Sequence, residues 1–457
     1  TPRLRLISPR KNRKLVSPAL AESLANWAMP MGPETFLTEA EPVIMRPMSP
    51  TVALVSLTAM GLYQFHQRIY FHEALVRVLV GFALGSIALF IVFNILPWSE
   101  LMQTLGVVAI IYSLVLLLIL RFYFLRIVDE NVFRHRTLVV GAGSRASAIL
   151  DLRRKADRRG FRLVGIVPAP GDTQVIDTSA PKFADKEIEK LAHELGADEM
   201  VVAMDERRGN LSVRELLQCR LGGIQVIDIV EFLERETGKI RIDLVNPGWL
   251  IFSSGFRISK ARRVSKRLVD LLVGLVTGAI ALPFALLAAL AIKLEDGLGA
   301  SVLYRQVRVG YQGKNFEVLK FRSMREDAEA DGKAVWATED DDRVTRVGHW
   351  LRKLRLDEIP QIVNVIRGDM SIVGPRPERP AFVEELSEQI PYYSERHTVL
   401  PGVTGWAQIQ YPYGASTHDA AEKLQYVLYY VKHHNVFLDV MIILQTVEVV
   451  LWGKGSR

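Results

Sequence analysis

Two long apolar segments limit what this chain can fold into more than any other feature. Residues 78–96 and 101–120 are charge-free runs of 19 and 20 residues. Each run is long enough to cross a hydrocarbon layer of about 30 Å as a helix. Arginines flank the pair on both outer sides, whereas the connector 97–100 carries no basic residue. The positive-inside rule therefore predicts a transmembrane hairpin with both ends in the cytoplasm.

The residues before this hairpin are harder to interpret. Residues 52–65 are short and moderately apolar, so they form either an interfacial helix or a marginal span. Residues 1–50 are a basic, proline-rich segment whose order stays open. Because no apolar region follows the basic start, no cleavable signal peptide is expected. Transmembrane helices are assigned to residues 51–128, and the number of spans stays open.

Residues 134–255 alternate β-branched runs with helical patterns, which is typical of a doubly wound α/β domain. The first run, TLVVGAG, ends in a glycine turn where Gly141, Gly143 and Ala146 match the dinucleotide fingerprint G-x-G-x-x-A. The acid expected after the second strand is missing, because RLVGIV runs into residues 168–170, Pro-Ala-Pro. The sequence thus predicts a Rossmann-like, CoA/NAD-binding-like domain that is degenerate, and leaves open whether it binds a ligand.

Residues 267–293 are a further apolar stretch with Pro283 near the middle. A proline there removes an N–H donor and clashes with the preceding turn. Basic residues flank both ends, at 260–267 on one side and at Lys293 and Arg305 on the other. These features predict a re-entrant helix-break-helix that enters and leaves by one membrane face. A proline-kinked spanning helix is the alternative.

The last apolar segment lies at residues 437–452. It carries scattered polar residues, Asp439, Gln445 and Glu448. A helix of this composition is expected to lie on the membrane surface.

Two adjacent acids mark the most informative stretch, LRLDEIPQIVNVIRGDMSIVGPRPERP at residues 354–380. Asp357 and Glu358 stand shortly before a proline, which predicts an extended Ile359 and a short helix over 360–366 that ends at Gly368. Both acids would then lie beside the free N–H groups of a helix N-terminus, where phosphate oxygens also bind.

Fixed cations accompany these acids. Arg352, Lys353 and Arg355 precede them, and Arg376 lies in the rigid Gly-Pro-Arg-Pro turn 374–377. Carboxylates, cations and a helix N-terminus together favour chemistry on a phosphorylated, metal-bound substrate. A solvated acidic pair in a charged loop is the alternative for an Asp-Glu pair taken alone.

Six motifs from residue 265 onward occur in an order that carries a family resemblance: KRLVD, an apolar hairpin around Pro283, YRQVRVGYQGKNFEVLKFRSM, DRVTRVGHWLRKLRLDEIPQ, GDMSIVGPRPE and LPGVTGWAQIQ. Together they resemble the large members of the monotopic phosphoglycosyl transferase family, also called bacterial sugar transferases. The resemblance implies a catalytic domain over residues 262–457 that contains the re-entrant hairpin. It also implies that the middle domain serves regulation or self-association.

The resemblance implies transfer of sugar 1-phosphate from a UDP-sugar to a polyprenyl phosphate such as undecaprenyl phosphate, with release of UMP. This reaction initiates exopolysaccharide, capsule or O-antigen synthesis. Asp357 would be the nucleophile that forms an aspartyl phosphosugar intermediate. Glu358, together with Asp357, would hold Mg²⁺, which prefers oxygen ligands. Arg376 would contact the uridine nucleotide.

The remaining predicted substrate-binding residues are charged side chains in the same motifs. Lys320, Arg322 and Arg352 are candidate phosphate ligands. Lys266 and Asp270 lie one helical turn apart, so they share a face of the helix. They could also anchor the start of the hairpin.

The resemblance implies that the protein lies in the bacterial inner membrane, with its catalytic domain on the cytoplasmic face and in contact with lipid. It also implies a homodimer. No nucleic acid partner is expected. A net charge of +7 suits anionic lipid or a nucleotide, and a hydrophobic content of 49% suits a membrane enzyme. The single cysteine, Cys219, excludes an internal disulfide and fits a reducing compartment as an inert buried thiol.

Two alternatives differ in their products. The acidic run 339–342 resembles the D-x-D element of metal-dependent glycosyltransferases, which would release UDP without a covalent intermediate. An inactive membrane scaffold would release neither UMP nor UDP.

His433 and His434 are adjacent and point apart on a helix, so no histidine metal site is expected. The identity of the sugar and the glycan pathway cannot be read from the sequence.

Overall fold

The computed structural model describes residues 112, 134–152, 154, 156–158, 160–172, 181, 183, 187–207, 212–245, 247–253, 255–256, 260–325, 343–411, 414 and 416–451 of the chain. The predictions for residues 1–50, for the spans within 51–128 (residue 112 apart) and for the acidic run 339–342 lie outside the described residues.

A four-stranded parallel sheet organises the middle region, residues 134–256. Its strands are β1 (His135–Val140), β2 (Phe161–Val167), β3 (Glu199–Val202) and β4 (Gln225–Asp228), in the spatial order β2-β1-β3-β4. Strands β1 and β3 are buried on both faces, which explains why they read as continuous apolar runs. The predicted parallel α/β arrangement is confirmed for this part of the chain.

Helices cover both faces of this sheet. They are α1 (Ser144–Leu150), α2 (Ile188–Glu194), α3 (Val213–Leu221) and α4 (Ile229–Thr237), with a 3₁₀ turn at Ala156–Arg158. Helices α1 and α4 contribute to one apolar cluster and α2 and α3 to the other. Cys219 of α3 is fully buried, and burial raises the pKa of its thiol. This environment agrees with the inert thiol predicted from the sequence.

A carboxylate of the chain itself fills the glycine turn after β1. Asp205 accepts hydrogen bonds from the backbone N–H groups of Ser144 (2.9 Å) and Arg145 (2.8 Å) and from Ser144 Oγ (3.0 Å). A Cβ at Gly143 would lie 2.1 Å from Asp205 Oδ2, so glycine is required for this approach. The amides that bind a diphosphate in a dinucleotide fingerprint are thus already engaged.

The C-terminal region starts after a short helix, α5 (Pro247–Phe252), with the long helix α6 (Lys260–Asp296). Within the described residues α6 is the one helix long and apolar enough to cross a membrane, by length and composition. Its helical backbone continues through Pro283, and the re-entrant helix-break-helix stays a prediction. A proline φ is compatible with helix, and the Ala- and Leu-rich sequence on both sides favours helix strongly enough to tolerate the lost hydrogen bond.

One stripe of α6 packs on the protein and its other faces are exposed. Asp270, Gly274, Ala288 and Ile292 are buried at helical spacing. Leucines around the rest of the helix stay exposed: Leu268, Leu272, Leu275, Leu282, Leu286, Leu287 and Leu290. The packed stripe runs along most of the apolar segment, so both halves of α6 lie against the same globular region.

The rest of the C-terminal region is a compact mixture of short elements. An antiparallel hairpin, β5 (Leu303–Val309) and β6 (Asn315–Phe321), turns through Tyr311–Gly313. Two short strands, β7 (Ser371–Val373) and β8 (Gly402–Thr404), pair in parallel. The helices are α7 (Arg346–Lys353), α8 (Gln361–Arg367), α9 (Pro380–Gln389), α10 (Trp406–Gln410), α11 (Thr417–His433) and α12 (Val436–Leu451), with 3₁₀ turns at Leu356–Glu358 and Tyr393–Thr398.

The final helix, α12, buries two polar residues and exposes part of its apolar surface. Asp439 and Gln445 are each 3% exposed, whereas Phe437 is 69% exposed. Asp439 accepts hydrogen bonds from Lys266 Nζ (2.9 Å) and from Tyr430 Oη (2.7 Å). An apolar outer face on such a helix is the pattern expected where the surroundings are lipid.

The middle and C-terminal regions share buried structure through α4 and the segment after it. Glu234 of α4 is 4% exposed and pairs with Lys432 Nζ at 2.7 Å and with His433. The Ile240 N–H donates to the carbonyl of Gln425 at 3.0 Å, and the Ile240 side chain is fully buried in the C-terminal core. These contacts hold α11 against the middle region.

Candidate active site

The two acids lie on a 3₁₀ turn that leads directly into α8. Ile359 is helical (φ −53°), so the predicted extended conformation at this position is wrong. Leu356 and Ile359 pack against Ile292 and Leu351, and this apolar contact outweighs the weak preference of a residue before proline for extended backbone. Helix α8 ends before Gly368 (φ +96°), as predicted.

Glu358 is held by two cations. Lys320 Nζ lies 2.9 Å and Arg376 Nη2 lies 3.2 Å from the same carboxylate oxygen, Oε1. Burial alone would raise the pKa of Glu358, but Arg376 and Lys320 together outweigh it and hold the pKa well below its usual range. Glu358 is therefore ionised at neutral pH.

Asp357 has the opposite environment. Within the described residues no hydrogen bond or ion pair reaches its carboxylate. Burial raises the pKa of Asp357, against the opposing charge of Lys320, and the adjacent charge of Glu358 raises it further. A desolvated carboxylate without fixed partners is a better nucleophile than one tied to two cations.

The other predicted phosphate ligands, Arg352 and Arg322, differ in their position relative to the two acids. Arg352 donates from Nε to Ser323 Oγ at 3.0 Å, and its charge lowers the pKa of Asp357. Arg322 is 8% exposed and pairs with Asp296 at 2.8 Å, at the end of α6. The structure thus brings Lys320, Arg376 and Arg352 to the acids, whereas Arg322 is engaged in fixing the helix.

Lys266 and Asp270 share a face of α6, as predicted, and both engage the protein itself. Lys266 Nζ donates to the Val373 carbonyl at 3.0 Å, in addition to its bond with Asp439. Asp270 Oδ1 accepts from Ser371 Oγ at 2.8 Å and from the N–H of Ile372 at 3.0 Å. These bonds attach the start of α6 to β7, and substrate binding by the two residues stays a prediction.

The turn that carries Arg376 is fixed by the backbone around it. The Gly374 N–H donates to the Thr404 carbonyl at 2.8 Å, and the Gly402 N–H donates to the Pro375 carbonyl at 2.9 Å. Buried Arg396 donates from Nη2 to the Arg376 carbonyl at 2.7 Å. The Arg376 side chain therefore projects from a rigid support.

An open cleft lies beside this turn. Its lining residues are Arg308, Val318, Lys320, Gln361, Arg376, Pro377, Gly402 and Val403. Arg308 and Gln361 were not among the predicted site residues. Alternation along β5 is a signal that could have found Arg308, because Tyr304, Gln306 and Arg308 occupy one face of the strand, less exposed than the other.

Metal-ligand clusters are sparse in the described part of the chain. No group of three or more His, Cys, Asp or Glu residues there could hold a metal ion. His433 pairs with Glu234, whereas His434 Nδ1 contacts the Val431 carbonyl, so the adjacent histidines have separate partners.

Comparison with known proteins agrees with the motifs. The family model described as bacterial sugar transferase matches residues 261–453. The chain is 39% identical over 244 residues to a UDP-N-acetylgalactosamine-undecaprenyl-phosphate N-acetylgalactosaminephosphotransferase of Aeromonas hydrophila, covering 53% of this chain and 56% of the relative. It is 31% identical over 331 residues to an undecaprenyl-phosphate glucose phosphotransferase of Komagataeibacter xylinus. This match covers 70% of this chain and 60% of the relative.

A third relative is matched over more of its length. It is a UDP-glucose:undecaprenyl-phosphate glucose-1-phosphate transferase of Klebsiella pneumoniae, 34% identical over 322 residues that cover 69% of this chain and 67% of the relative. The chain spans somewhat more than half the length of the first two relatives. With the ordered motifs, the match to the family model and these identities, the chain belongs to the bacterial sugar transferase family.

Proposed function

We propose that this protein transfers sugar 1-phosphate from a UDP-sugar to undecaprenyl phosphate and releases UMP. The names of the relatives support the donor and acceptor classes, and they differ in the sugar, N-acetylgalactosamine or glucose. The observation that carries the proposal is the unequal pair of acids. Glu358 is fixed by Lys320 and Arg376, while Asp357 beside it is desolvated and unengaged among the described residues.

The reaction then proceeds by two displacements at one phosphorus. Asp357 attacks the phosphorus that carries the sugar, and the bond to the UMP oxygen breaks as the carboxylate–phosphorus bond forms. An oxygen of the acceptor phosphate then attacks the same phosphorus. The acyl phosphate bond breaks, which regenerates the Asp357 carboxylate and leaves a polyprenyl diphosphate sugar. Lys320 and Arg376 offset negative charge on the phosphoryl oxygens during both steps.

Mg²⁺ is the metal proposed for this site, with Asp357 and Glu358 as its protein ligands. Mg²⁺ commonly binds through one or two carboxylates plus substrate phosphates and waters, so a pair of acids fits it. Lys320 and Arg376 both contact Glu358 Oε1, and Oε2 remains as a donor oxygen. The ion would supply positive charge against the transferred phosphoryl group.

The membrane face of the enzyme is proposed to be the exposed side of α6 together with α12. Shortly before the acids in the chain, Trp350 and Leu354 are also exposed, by 58% and 57%, and Lys353 lies over the Trp350 ring. Tryptophan and lysine are common where protein meets a bilayer surface. Because both halves of α6 pack on one globular region, we favour re-entry from the cytoplasmic face of the inner membrane over a full crossing.

A product assay tests the proposal. The protein in nanodiscs is incubated with UDP-glucose or UDP-N-acetylgalactosamine and undecaprenyl phosphate, and the released nucleotide is identified. UMP is expected from at least one donor, UDP would favour an ordinary glycosyltransferase, and neither nucleotide would favour a scaffold. Without acceptor, the peptide that contains Asp357 should gain the mass of one sugar phosphate. The exposed Asp151→Asn variant should behave like the parent in this labelling, whereas Asp357→Asn should not be labelled.

A further inference from the structure

The cleft beside Glu358 is lined by two chemically different kinds of residue. Arg308, Lys320 and Arg376 supply three cations, and none of the residues that line the cleft is acidic. Val318, Pro377 and Val403 supply an apolar surface. Cationic side chains suit phosphate groups, whereas apolar side chains suit the faces of a flat ring.

Gln361 adds a polar side chain that has no hydrogen-bond partner among the described residues. The residue is 4% exposed. The amide is not among the fully buried side-chain groups that lack a partner, so its polar atoms reach the open space of the cleft. The residue lines the cleft, so a molecule bound there is well placed to supply the missing partner.

The position of Gln361 ties this amide to the reacting groups. It is the first residue of α8, four positions after Asp357 and directly after Pro360. Asn364, one turn further along α8, fixes the helix to β6: its Oδ1 accepts from the Leu319 N–H at 3.0 Å and its Nδ2 donates to the Glu317 carbonyl at 2.7 Å. Lys320 lies next on β6, so the amide and this cation are held in one rigid frame.

We propose that Gln361 hydrogen-bonds the uracil edge of the donor, with the base between the apolar residues and the phosphates at the cations. An amide has both a donor and an acceptor, which complements the N3–H and O4 of uracil, whereas phosphate only accepts. This assignment rests on the proposed function, because it takes the uridine half of the donor as the ligand. Gln361 is thereby a specificity-determining residue for the base.

Direct binding of UMP, measured by titration calorimetry, tests the assignment without requiring turnover. Gln361→Met keeps the length of the side chain and removes the amide. UMP affinity should therefore fall about tenfold, which is close to the loss expected when two hydrogen bonds are removed. Binding of inorganic pyrophosphate should change little, because the cations remain. Exposed Gln389→Met is the matched control and should bind UMP like the parent.

A second variant separates base recognition from a packing effect. Gln361→Glu offers only acceptors at neutral pH, which suit the N4 amine of cytosine better than O4 of uracil. The ratio of UMP to CMP affinity should therefore fall in this variant. All comparisons use protein that elutes as a single sharp peak and melts like the parent.

Three results would overturn the assignment. One is UMP affinity in Gln361→Met within twofold of the parent. Another is an unchanged UMP-to-CMP ratio in Gln361→Glu. The third is a loss of sugar 1-phosphate binding with UMP binding intact, which would place the amide at the sugar. Failure of the proposed function would give a different result. The parent would bind UMP through Gln361 but release no UMP from any UDP-sugar, which would support the uracil site and contradict the proposed reaction.

Discussion

The glycine turn of the middle region and the acidic turn of the C-terminal region both carry sequence signals for phosphate chemistry. In the glycine turn, Asp205 accepts the amide hydrogens that a phosphate would otherwise take. In the acidic turn, Glu358 binds Lys320 and Arg376, and Asp357 is left without a described partner. The difference shows that a phosphate-binding motif depends on what the rest of the fold places against it.

The same principle explains how two adjacent acids acquire different roles. The cations converge on Glu358 and lower its pKa, whereas burial raises the pKa of Asp357. Pairs of titratable groups whose environments separate their pKa values often mark an active site.

Replacement of the nucleophile should have the largest effect. Asp357→Asn keeps the shape of the side chain and cannot form the acyl phosphate, so UMP release should fall roughly a thousandfold or more, as for loss of other catalytic nucleophiles. Initial rates of UMP release, with thermal unfolding to confirm the fold, provide the measurement. Activity near the parent level would refute a covalent intermediate at Asp357.

Replacement of the neighbouring acid should have a smaller catalytic effect and a clear pH signature. Glu358→Gln leaves Lys320 and Arg376 without their counter-charge and should lower the rate about a hundredfold. The pKa of Glu358 is held below its ordinary value of 4.5, so its ionised form stabilises the fold above that pH. This contribution is lost as the pH falls through the lowered pKa.

Thermal unfolding of the parent and Glu358→Gln from pH 7 to pH 3 checks the sign. The parent should be more stable at pH 7, and the difference should shrink as the pH falls below 4.5. Exposed Glu388→Gln is the control and should follow the parent throughout. A difference between parent and variant that grows on acidification would contradict the ion pairs described for Glu358.

The acid side of the pH–rate profile should respond to Lys320. Asp357 must be ionised to attack, and Lys320 lowers its pKa against the effect of burial. Lys320→Met should therefore move the acid limb of UMP release to higher pH. Arg305→Met removes a cation whose side chain is 69% exposed on the same hairpin, and its profile should match that of the parent. If the acid limb stayed in place or moved to lower pH, Lys320 would not be the group that lowers the pKa of Asp357.

Local patterns in the sequence predicted local structure well. Alternating β-branched runs identified the four parallel strands, and Gly368 marked the end of α8. One prediction based on proline was wrong, because Ile359 lies in helical backbone, and α6 remains helical through Pro283. Proline preferences are weak compared with the packing of Leu356 and Ile359 and with the helix-forming residues on both sides of Pro283.

Contacts between distant parts of the chain could not be predicted in the same way. Asp205 lies 61 residues after Ser144, so the sequence of the glycine turn contains no sign of its internal partner. Lys320 and Arg376 were candidates from their motifs, but only the fold shows that both contact Glu358. The unpaired amide of Gln361 likewise appears only when its surroundings are known.

The smallest effect on catalysis is expected at the glycine turn. Asp205→Ala removes the acceptor of three hydrogen bonds and should lower the free energy of unfolding of the middle region by about 1–2 kcal/mol. Because sites without shared contacts behave independently, UMP release should change by less than about twofold. The two measurements are the thermal midpoint and the initial rate on the same preparation. Exposed Glu206→Ala, next to Asp205, should leave both quantities unchanged. If Asp205→Ala abolished UMP release while the protein stayed folded, the glycine turn would be coupled to the acids, and the two turns would not be the independent units that their contacts indicate.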